Sequence, residues 1–284
     1  MSSDSSPLRV SPVSIRAALA DAARRLDGSS DTPRLDAELL MAHALGVTRE
    51  ALLLSGLGGE APGAFEALVE RRERGEPVAY ITGRRGFWTI ELEVGPGVLI
   101  PRPDSETLIE AAVNHFGESG PKRVLDLGTG PGTLLLAALD QWRDASGLGI
   151  DRSERALTIA RVNAARLGAS GRCAFRFGNW AEGVEERFDL VLCNPPYVEQ
   201  DAPLARDVAE WEPHDALFAG PAGMADYERL APQIPRILAR AGIACIEIGA
   251  GQAAAVSALF KHHGLTVSAR NDLAGIPRCL VLRH

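Results

Sequence analysis

From residue 123 onward, short apolar runs alternate with segments of helical periodicity. This alternation predicts an α/β fold with a parallel, doubly wound sheet, because a helix must cross the sheet between successive parallel strands. The last two strands can pair antiparallel, since only a loop separates them. A helix at 227–239 is expected to lead into the fifth strand. The predicted strands are residues 123–127, 148–150, 173–177, 189–193, 243–248, 265–269 and 279–282.

The N-terminal part of the chain is predicted to be a small helical domain, residues 1–75. Residues 1–12 are rich in Ser and Pro, and we expect them to be poorly ordered. Apolar residues repeat at helical spacing from Ser14, and Thr32-Pro33 is typical of a second helix start. No catalytic-looking cluster occurs in this domain, so we expect it to dock a macromolecular substrate.

Residues 76–106 are predicted to connect this helical domain to a catalytic domain, residues 107–284. Apolar and polar residues alternate from Trp88 to Val94, and Gly95-Pro96-Gly97 suggests a turn into residues 98–100. We therefore expect a β-hairpin here. Asp104 or Ser105 is expected to cap the helix that follows.

Composition limits the class of protein. The 284 residues carry a net charge of −7, and the pI is near 5.5. These values argue against broad, nonspecific binding to nucleic acid, but they do not exclude a local basic patch. No targeting segment or membrane span is apparent, and we expect a cytoplasmic protein. The widely spaced cysteines are interpreted as reduced core residues; they are Cys173, Cys193, Cys245 and Cys279.

The strand at 189–193 ends at Asn194, because Pro195 and Pro196 cannot continue a central ladder. Ligands of open α/β sheets bind at such carboxyl ends. The Asn194 carboxamide, the Pro195 carbonyl and the Tyr197 ring suit a planar amino group, with two acceptors for its N–H bonds and a wall for its flat face. The alternative is a proline-rich turn without chemistry.

The glycine loop at 128–132 removes side chains, so that a cofactor can lie against the backbone at the start of a helix. Asp151 ends the next strand and is placed to accept both hydroxyls of a ribose. Asn179 and Trp180 can bound an adenine. The fingerprint of a nicotinamide dinucleotide site has glycine at the position that Thr133 occupies here. The pattern therefore favours S-adenosylmethionine over NAD as the cofactor.

Several motifs resemble those of class I S-adenosylmethionine-dependent methyltransferases, which have a seven-stranded doubly wound sheet. These motifs are LDLGTGPG, GIDRSERAL, GNW and NPPY. Further segments are similar to the family of peptide chain release factor glutamine N5-methyltransferases, also called HemK or PrmC. They are EPVAYITGRRGFW, IPRPDSE, WEPHDALFAGPAGMADY and CIEIGAGQ.

The resemblance implies methyl transfer to the side-chain amide of the glutamine in the Gly-Gly-Gln loop of class 1 release factors, with S-adenosylhomocysteine as product. It implies substrate contacts from the NPPY residues Asn194, Pro195, Pro196 and Tyr197, and from Arg102 and Glu106. Asn179 departs from the aspartate common at its position, which weakens adenine recognition there. The implied cofactor contacts are Gly128, Thr129, Gly130, Pro131, Gly132, Asp151, Asn179, Trp180 and Asn194.

Asn194 Oδ1 and the Pro195 carbonyl would align the glutamine nitrogen with the methyl group. No residue is assigned as a base, because the proton can leave after transfer. Alternatives are an adenine-N6 DNA or RNA methyltransferase, a ribosomal-protein glutamine methyltransferase, or a noncatalytic cofactor sensor. We expect a monomer, no metal and no direct nucleic-acid partner.

Overall fold

The computed structural model describes residues 13–54 and 57–284, and the chain divides into two compact units, Met1–Thr82 and Gly83–His284. The division after Thr82 lies inside the predicted connector rather than at its start, because a further short helix continues the helical unit. The expected poor order of residues 1–12 lies outside the described part of the chain.

The first unit is helical, as predicted. Ser14 begins its first helix, with the Ser14 hydroxyl accepting a 3.3 Å hydrogen bond from the Ala17 N–H. Leu19, Leu26 and Met41 are fully buried in its apolar core, and a 2.7 Å ion pair joins the buried side chains of Asp36 and Arg72. The helices are α1 (Ile15–Leu26), α2 (Pro33–Leu45), α3 (Arg49–Leu54), α4 (Ala64–Glu73) and α5 (Val78–Thr82).

A β-hairpin begins the second unit, but its strands are not the predicted pair. The predicted turn at Gly95-Pro96-Gly97 does form, with the Val98 N–H donating to the Gly95 carbonyl at 3.3 Å, yet it leads into no strand. Strand β1 (Arg84–Phe87) pairs antiparallel with β2 (Ile90–Glu93), and residues 98–100 form no strand. The turn residue Trp88 has φ of 53°, a conformation that non-glycine residues seldom adopt. Its N–H donates to Glu106 Oε1 at 2.9 Å, so a distant carboxylate, rather than a local glycine, supports the turn.

A seven-stranded sheet forms the rest of this unit, as predicted. Its order is β5-β4-β3-β6-β7-β9-β8, with β9 antiparallel to both of its neighbours and the remaining pairs parallel. The strands are β3 (Arg123–Leu127), β4 (Ser146–Asp151), β5 (Cys173–Phe177), β6 (Phe188–Cys193), β7 (Leu238–Glu247), β8 (Thr266–Asn271) and β9 (Pro277–Arg283).

Helices cover this sheet: α6 (Glu106–Phe116), α7 (Thr133–Gln141), α8 (Glu154–Arg166), α9 (Arg206–Trp211), α10 (Ala225–Leu230), α11 (Ile234–Ile237) and α12 (Ala253–His262). The helix predicted at 227–239 is interrupted instead, because Pro232 and Pro235 lack the N–H groups that a continuous helix needs. Strand β7 consequently begins at Leu238, where it pairs with Phe188 before a register shift.

The central strand β6 is buried along most of its length, and Val191 packs with Ile246 and Leu280 in the main core. The four cysteines are free thiols, and Cys193, Cys245 and Cys279 are buried, as expected. Cys173 is only half-buried, so the expectation that it is a core residue is wrong. None of the described helices combines the length and apolar character needed to span a lipid bilayer.

Candidate active site

A cleft of about 420 Å³ lies at the carboxyl ends of β3, β4, β5 and β6, within the second unit. A smaller pocket of about 50 Å³ adjoins it, and both are lined by Leu99, Gly128, Gly130 and Asn194. Parallel strands bring their ends to one edge of a sheet, so the topology itself gathers the predicted residues. The larger lobe is lined further by Asp151, Asn179, Trp180, Pro196 and Asp215, among others.

The glycine loop follows β3. Gly128 and Thr129 donate backbone hydrogen bonds to the Ile150 carbonyl at 2.9 and 3.0 Å, which fixes the loop against the end of β4. Gly128 and Gly130 have φ of 70° and 55° and line the cleft. Thr129 and Pro131 line the smaller pocket. Gly132 occupies the N-cap position of α7 with φ of 88°, and it is absent from the lining of both pockets.

Asp151 ends β4 and faces the cleft. Its Oδ2 accepts a hydrogen bond from the Gly130 N–H, and its Oδ1 accepts one from the Ser153 N–H, both at 2.8 Å. Burial raises the pKa of this carboxyl, while the two N–H donors oppose the shift. Each oxygen retains a lone pair that can accept a hydroxyl donor from the cleft.

Asn179 and Trp180 follow β5, as predicted, and both line the cleft. Asn179 is exposed, and its Nδ2 donates to Glu182 Oε1 at 2.8 Å, which leaves Oδ1 as the acceptor. Trp180 has φ of 50°, and its ring lies against Gly128, where a Cβ would approach it to 3.2 Å. Glycine at 128 therefore gives room for the indole beside the cofactor loop.

Asp126, on β3, lines the smaller pocket and was not singled out from the sequence. Its Oδ2 accepts from the Thr129 hydroxyl at 2.6 Å and from the Leu135 N–H at 3.1 Å. Its buried Oδ1 has no hydrogen-bond partner within the described chain. Burial raises the pKa of Asp126 to about 7. The only sequence signal for Asp126 is its place inside LDLGTGPG, where the glycines are the residues that predict a cofactor loop.

Asn194 lines both lobes of the cleft. Its Nδ2 donates to Ser105 Oγ at 3.2 Å, so the hydrogen-bonding capacity that it can offer to a ligand is concentrated at Oδ1. Ser105 holds the N-cap position of α6, but its side chain makes no capping bond there. The expectation that this serine caps α6 is therefore wrong, because its hydroxyl is engaged by Asn194 instead.

The residues after Asn194 differ in their exposure to the cleft. Pro195 and Pro196 are buried, and only Pro196 lines the larger lobe. The half-buried Tyr197 donates its hydroxyl to Glu247 Oε1 at 3.3 Å, and its ring lies against Gly249. Burial raises the pKa of the phenol, with the neighbouring Glu247 as the second cause.

Arg102 and Glu106 lie in the IPRPDSE segment and make internal contacts. Arg102 lines the smaller pocket and forms an ion pair with the buried carboxylate of Glu212. The other oxygen of Glu212 accepts from the Ile100 N–H at 2.9 Å. Glu106 accepts from the Trp88 N–H and is absent from both pocket linings. Glu212 thus holds the segment that carries Arg102, a role that the sequence analysis missed.

A further wall of the cleft comes from residues 97–99 and from a second segment, which was likewise not predicted to reach the site and contributes Pro213, Asp215 and Ala216. Arg152 Nη2 donates to the Asp215 carbonyl at 2.7 Å, tying the second segment to the residue that follows Asp151. The motif WEPHDALFAGPAGMADY was the available signal for this wall.

The residues present fit S-adenosylmethionine. Asp151 would accept hydrogen bonds from the ribose hydroxyls, and Asn179 and Trp180 would contact the adenine. The unpaired buried Oδ1 of Asp126 suits the ammonium group of the methionyl end, because a buried acceptor is costly without a donor. Gly128 and Asn194 line both pockets, where the nucleoside and methionyl ends of the cofactor would meet.

Comparison with known proteins identifies both units. Residues 17–83 match the family model of the PrmC N-terminal domain, and residues 118–263 match a methyltransferase domain. A release factor glutamine methyltransferase of Rhodospirillum rubrum is 43% identical over 260 residues, which cover 89% of this chain and 80% of the relative. The enzyme of the same name from Nitratidesulfovibrio vulgaris is 36% identical, with 98% of both chains covered.

Solved structures show the same fold. A methyltransferase of Pyrococcus furiosus superposes with a TM-score of 0.50 at 16% identity, covering 76% of this chain and 96% of that one. The Thermus thermophilus 16S rRNA N2 G1207 methyltransferase also gives 0.50, at 18% identity, covering 71% and 50%. The fold is that of the class I methyltransferases.

Proposed function

The chain belongs to the family of release factor glutamine methyltransferases, S-adenosylmethionine-dependent enzymes, and from this membership we propose how its cleft performs the reaction. The methyl acceptor is the side-chain amide nitrogen of the glutamine in the Gly-Gly-Gln loop of class 1 release factors. S-adenosylhomocysteine is the second product.

The observation that carries the assignment of the reacting centre is the Asn194 amide. Because its Nδ2 is held by Ser105, its Oδ1 is available to accept one N–H of a planar amide entering the cleft. The chain leaves the sheet after Cys193, so the Pro195 carbonyl lies outside the parallel ladder. We assign it as the acceptor of the other N–H, although Pro195 is absent from both pocket linings and its carbonyl must therefore be reached from their edge. Two fixed acceptors would leave the nitrogen lone pair aligned for attack.

An amide nitrogen is a weak nucleophile, because its lone pair is delocalised into the carbonyl. The bound S-adenosylmethionine supplies an activated methyl group. Asn194 Oδ1 and the Pro195 carbonyl stabilise the positive charge that develops on nitrogen during transfer, and their fixed placement removes much of the orientational cost. The buried Pro196 helps exclude water from the same lobe. Proton loss follows transfer, and no side chain is assigned as its base.

The helical unit, within which the PrmC N-terminal domain matches, is proposed to dock the body of the release factor. A cleft that recognises an amide cannot distinguish one exposed glutamine from another, so selectivity requires a second surface. Leu53 and Leu54 are 41% and 87% exposed on α3, and Val47 is 45% exposed. Apolar side chains exposed together in this way suit a protein partner.

The protein acts as a monomer, in the cytoplasm where release factors work, without binding nucleic acid directly. The net charge of −7 supports the last point, because nucleic-acid binding normally relies on an excess of Lys and Arg. Adenine-N6 methylation, the rival considered for NPPY, is not favoured by the family relationship.

The direct test is mass spectrometry of a class 1 release factor incubated with the protein and S-adenosylmethionine. We expect a single added methyl group on the Gly-Gly-Gln glutamine and no modification of adenine in DNA or RNA offered in parallel. A release factor recovered unmodified, or methylated elsewhere, would contradict the proposed substrate.

A further inference from the structure

The CIEIGAGQ segment, residues 245–252, has no role in the mechanism above, yet it lies directly behind the NPPY residues. Glu247 accepts a 3.3 Å hydrogen bond from the Tyr197 hydroxyl. Gln252 Nε2 donates to the Tyr197 carbonyl at 3.1 Å, so this segment holds both the ring and the backbone of that residue. At Gly249 a Cβ would come within 2.8 Å of Gln252 Oε1 and 3.0 Å of the Tyr197 ring, so a larger residue there would require both side chains to shift.

Glu247 is 1% exposed, and its two carboxyl oxygens have unequal surroundings. Oε1 accepts from Tyr197, whereas the buried Oε2 makes no hydrogen bond with any described residue. The hydroxyl of Ser105 makes no direct hydrogen bond to this carboxyl in the structure, but it lies near enough to lower the pKa of Glu247. The same hydroxyl oxygen accepts from Asn194 Nδ2, so its own proton needs an acceptor. The unpaired acceptor on Glu247 and the uncommitted proton on Ser105 are complementary.

We propose that Ser105 and Glu247 are positioning residues, which together fix the orientation of the Asn194 carboxamide so that Oδ1, and not Nδ2, faces the substrate amide. The proposal deepens the proposed function and rests on it. It assigns a role to Glu247 and Ser105, two residues from different family motifs that had none in the reaction.

The physical basis is hydroxyl polarity. A serine hydroxyl has a single proton, and when that proton is donated to a carboxylate, the oxygen can only accept from its other neighbour. Asn194 must then turn its NH2 group toward Ser105 and its carbonyl toward the cleft. If the Ser105 proton pointed at Asn194 instead, the amide would rotate by 180° and present NH2 to an incoming NH2, where no hydrogen bond can form.

The protonation state of Glu247 should therefore affect turnover. A carboxylate oxygen can only accept from Ser105, whereas a protonated carboxyl can donate to it and reverse the polarity. Burial raises the pKa of Glu247 to about 7, with Ser105 and Arg278 opposing the shift. The ionisable groups that face Glu247 are Asp104, Cys193, Tyr197, Tyr227, Arg278 and Cys279. Because the ionised form orients Asn194 correctly, kcat should rise as pH increases through this range.

The test uses the full-length protein and three variants, Ser105→Ala, Ser105→Thr and Glu247→Gln. Ser105→Ala removes the polarised hydroxyl, and Ser105→Thr retains one. Glu247→Gln preserves shape but places an NH2 donor beside Ser105. We expect kcat on a class 1 release factor to fall about 10- to 100-fold in Ser105→Ala and Glu247→Gln, by analogy with the outer-shell partners that orient the ligands of a metal site. Ser105→Thr should retain most of the turnover.

Thr107→Val is the matched control, because Thr107 is a second buried hydroxyl in the first turn of α6 that makes no contact assigned to the site. It should leave kcat unchanged. Calorimetry should show that the variants keep their affinity for S-adenosylmethionine. Binding of a Gly-Gly-Gln peptide in the presence of S-adenosylhomocysteine should weaken in Ser105→Ala and in Glu247→Gln.

The pH profile separates positioning from simple structural support. Wild-type kcat should show an acidic limb near pH 7 that is absent from Glu247→Gln and preserved in Thr107→Val. Retention of full turnover and of the limb in a folded Glu247→Gln variant would overturn the proposal, as would equal kcat for Ser105→Ala and wild type. Failure of the wild-type protein itself to methylate the glutamine would instead refute the proposed function, so the two failures are distinguishable.

Discussion

The N–H of Gly130 donates a 2.8 Å hydrogen bond to Oδ2 of Asp151, which joins the glycine loop after β3 to the end of β4. The sequence predicts Asp151 as a cofactor ligand only. In the structure the same carboxylate also fixes the loop against which the cofactor would lie, since its Oδ1 is held in turn by the Ser153 N–H. Loss of Asp151 should therefore affect the ribose contacts and the shape of the loop together.

We expect Asp151→Ala to weaken S-adenosylmethionine binding by about 1.5–3 kcal/mol, because a charged acceptor of hydroxyl donors is removed. Asp151→Asn keeps one acceptor and should lose less. Calorimetric titration measures both affinities, and thermal unfolding shows whether the fold persists. Unchanged affinity in a folded Asp151→Ala variant would contradict the assignment.

We expect Asn194→Ala to remove most turnover while leaving cofactor binding largely in place, because its Oδ1 contact matters chiefly at the reacting nitrogen. The measurement is kcat at saturating S-adenosylmethionine, together with the cofactor affinity. Asn179→Ala serves as the comparison, since Asn179 lies at the exposed, adenine side of the cleft. That variant should bind cofactor less tightly but keep its kcat, and near-normal turnover of Asn194→Ala would exclude the proposed role.

Leu54→Glu tests the helical unit as a docking surface. Because Leu54 is 87% exposed, the substitution should cost little stability, while a buried charge would disfavour an apolar contact with the release factor. We expect KM for the whole release factor to rise about tenfold or more, with little change for a short Gly-Gly-Gln peptide. Leu273→Glu, at a fully exposed leucine of the second unit, is the control. Equal KM values for the two variants on the whole release factor would argue against docking through α3.

The raised pKa of Asp126 predicts a pH-dependent stability. Its pKa is about 7 in the folded protein against 3.8 for the reference carboxyl, so the folded state binds the proton more tightly. This contribution is fully present below the lower pKa and is lost as pH rises through the upper one. Relative to wild type, Asp126→Asn should therefore gain on the order of 1–3 kcal/mol of unfolding free energy between pH 5 and pH 8. Chemical denaturation at both pH values measures the difference, and a pH-independent difference would contradict it.

Local signals explain what could be predicted. Each of the seven strands is marked by its own apolar run, and Asn194 is marked by the two prolines that end β6. Ser105 shows the limit of this approach. Its sequence context is typical of a helix cap, and it does occupy the N-cap position, but its hydroxyl contacts a residue 89 positions away. No local pattern carries that information.

Glu106 is a second residue whose role, here in the hairpin, is not predicted by its local sequence. Its place in the first turn of a helix suggests an interaction with the helix dipole, whereas the structure uses it to hold the Trp88 turn. The hairpin was predicted at the wrong position because Gly95-Pro96-Gly97 is a strong local turn signal, and it does form a turn, whereas the contact that stabilises the hairpin turn at Trp88 is not local.

The wide spacing of the contacts that build the site has a consequence for how the protein folds. The hydrogen bonds of Asn194 to Ser105 and of Tyr197 to Glu247 span 89 and 50 residues. Contacts of such separation form late, since the chain entropy of closing long loops must be overcome first. During refolding, the helical circular dichroism signal should therefore recover before the ability to bind S-adenosylmethionine. Partly folded chains should be inactive even when most of their secondary structure is present.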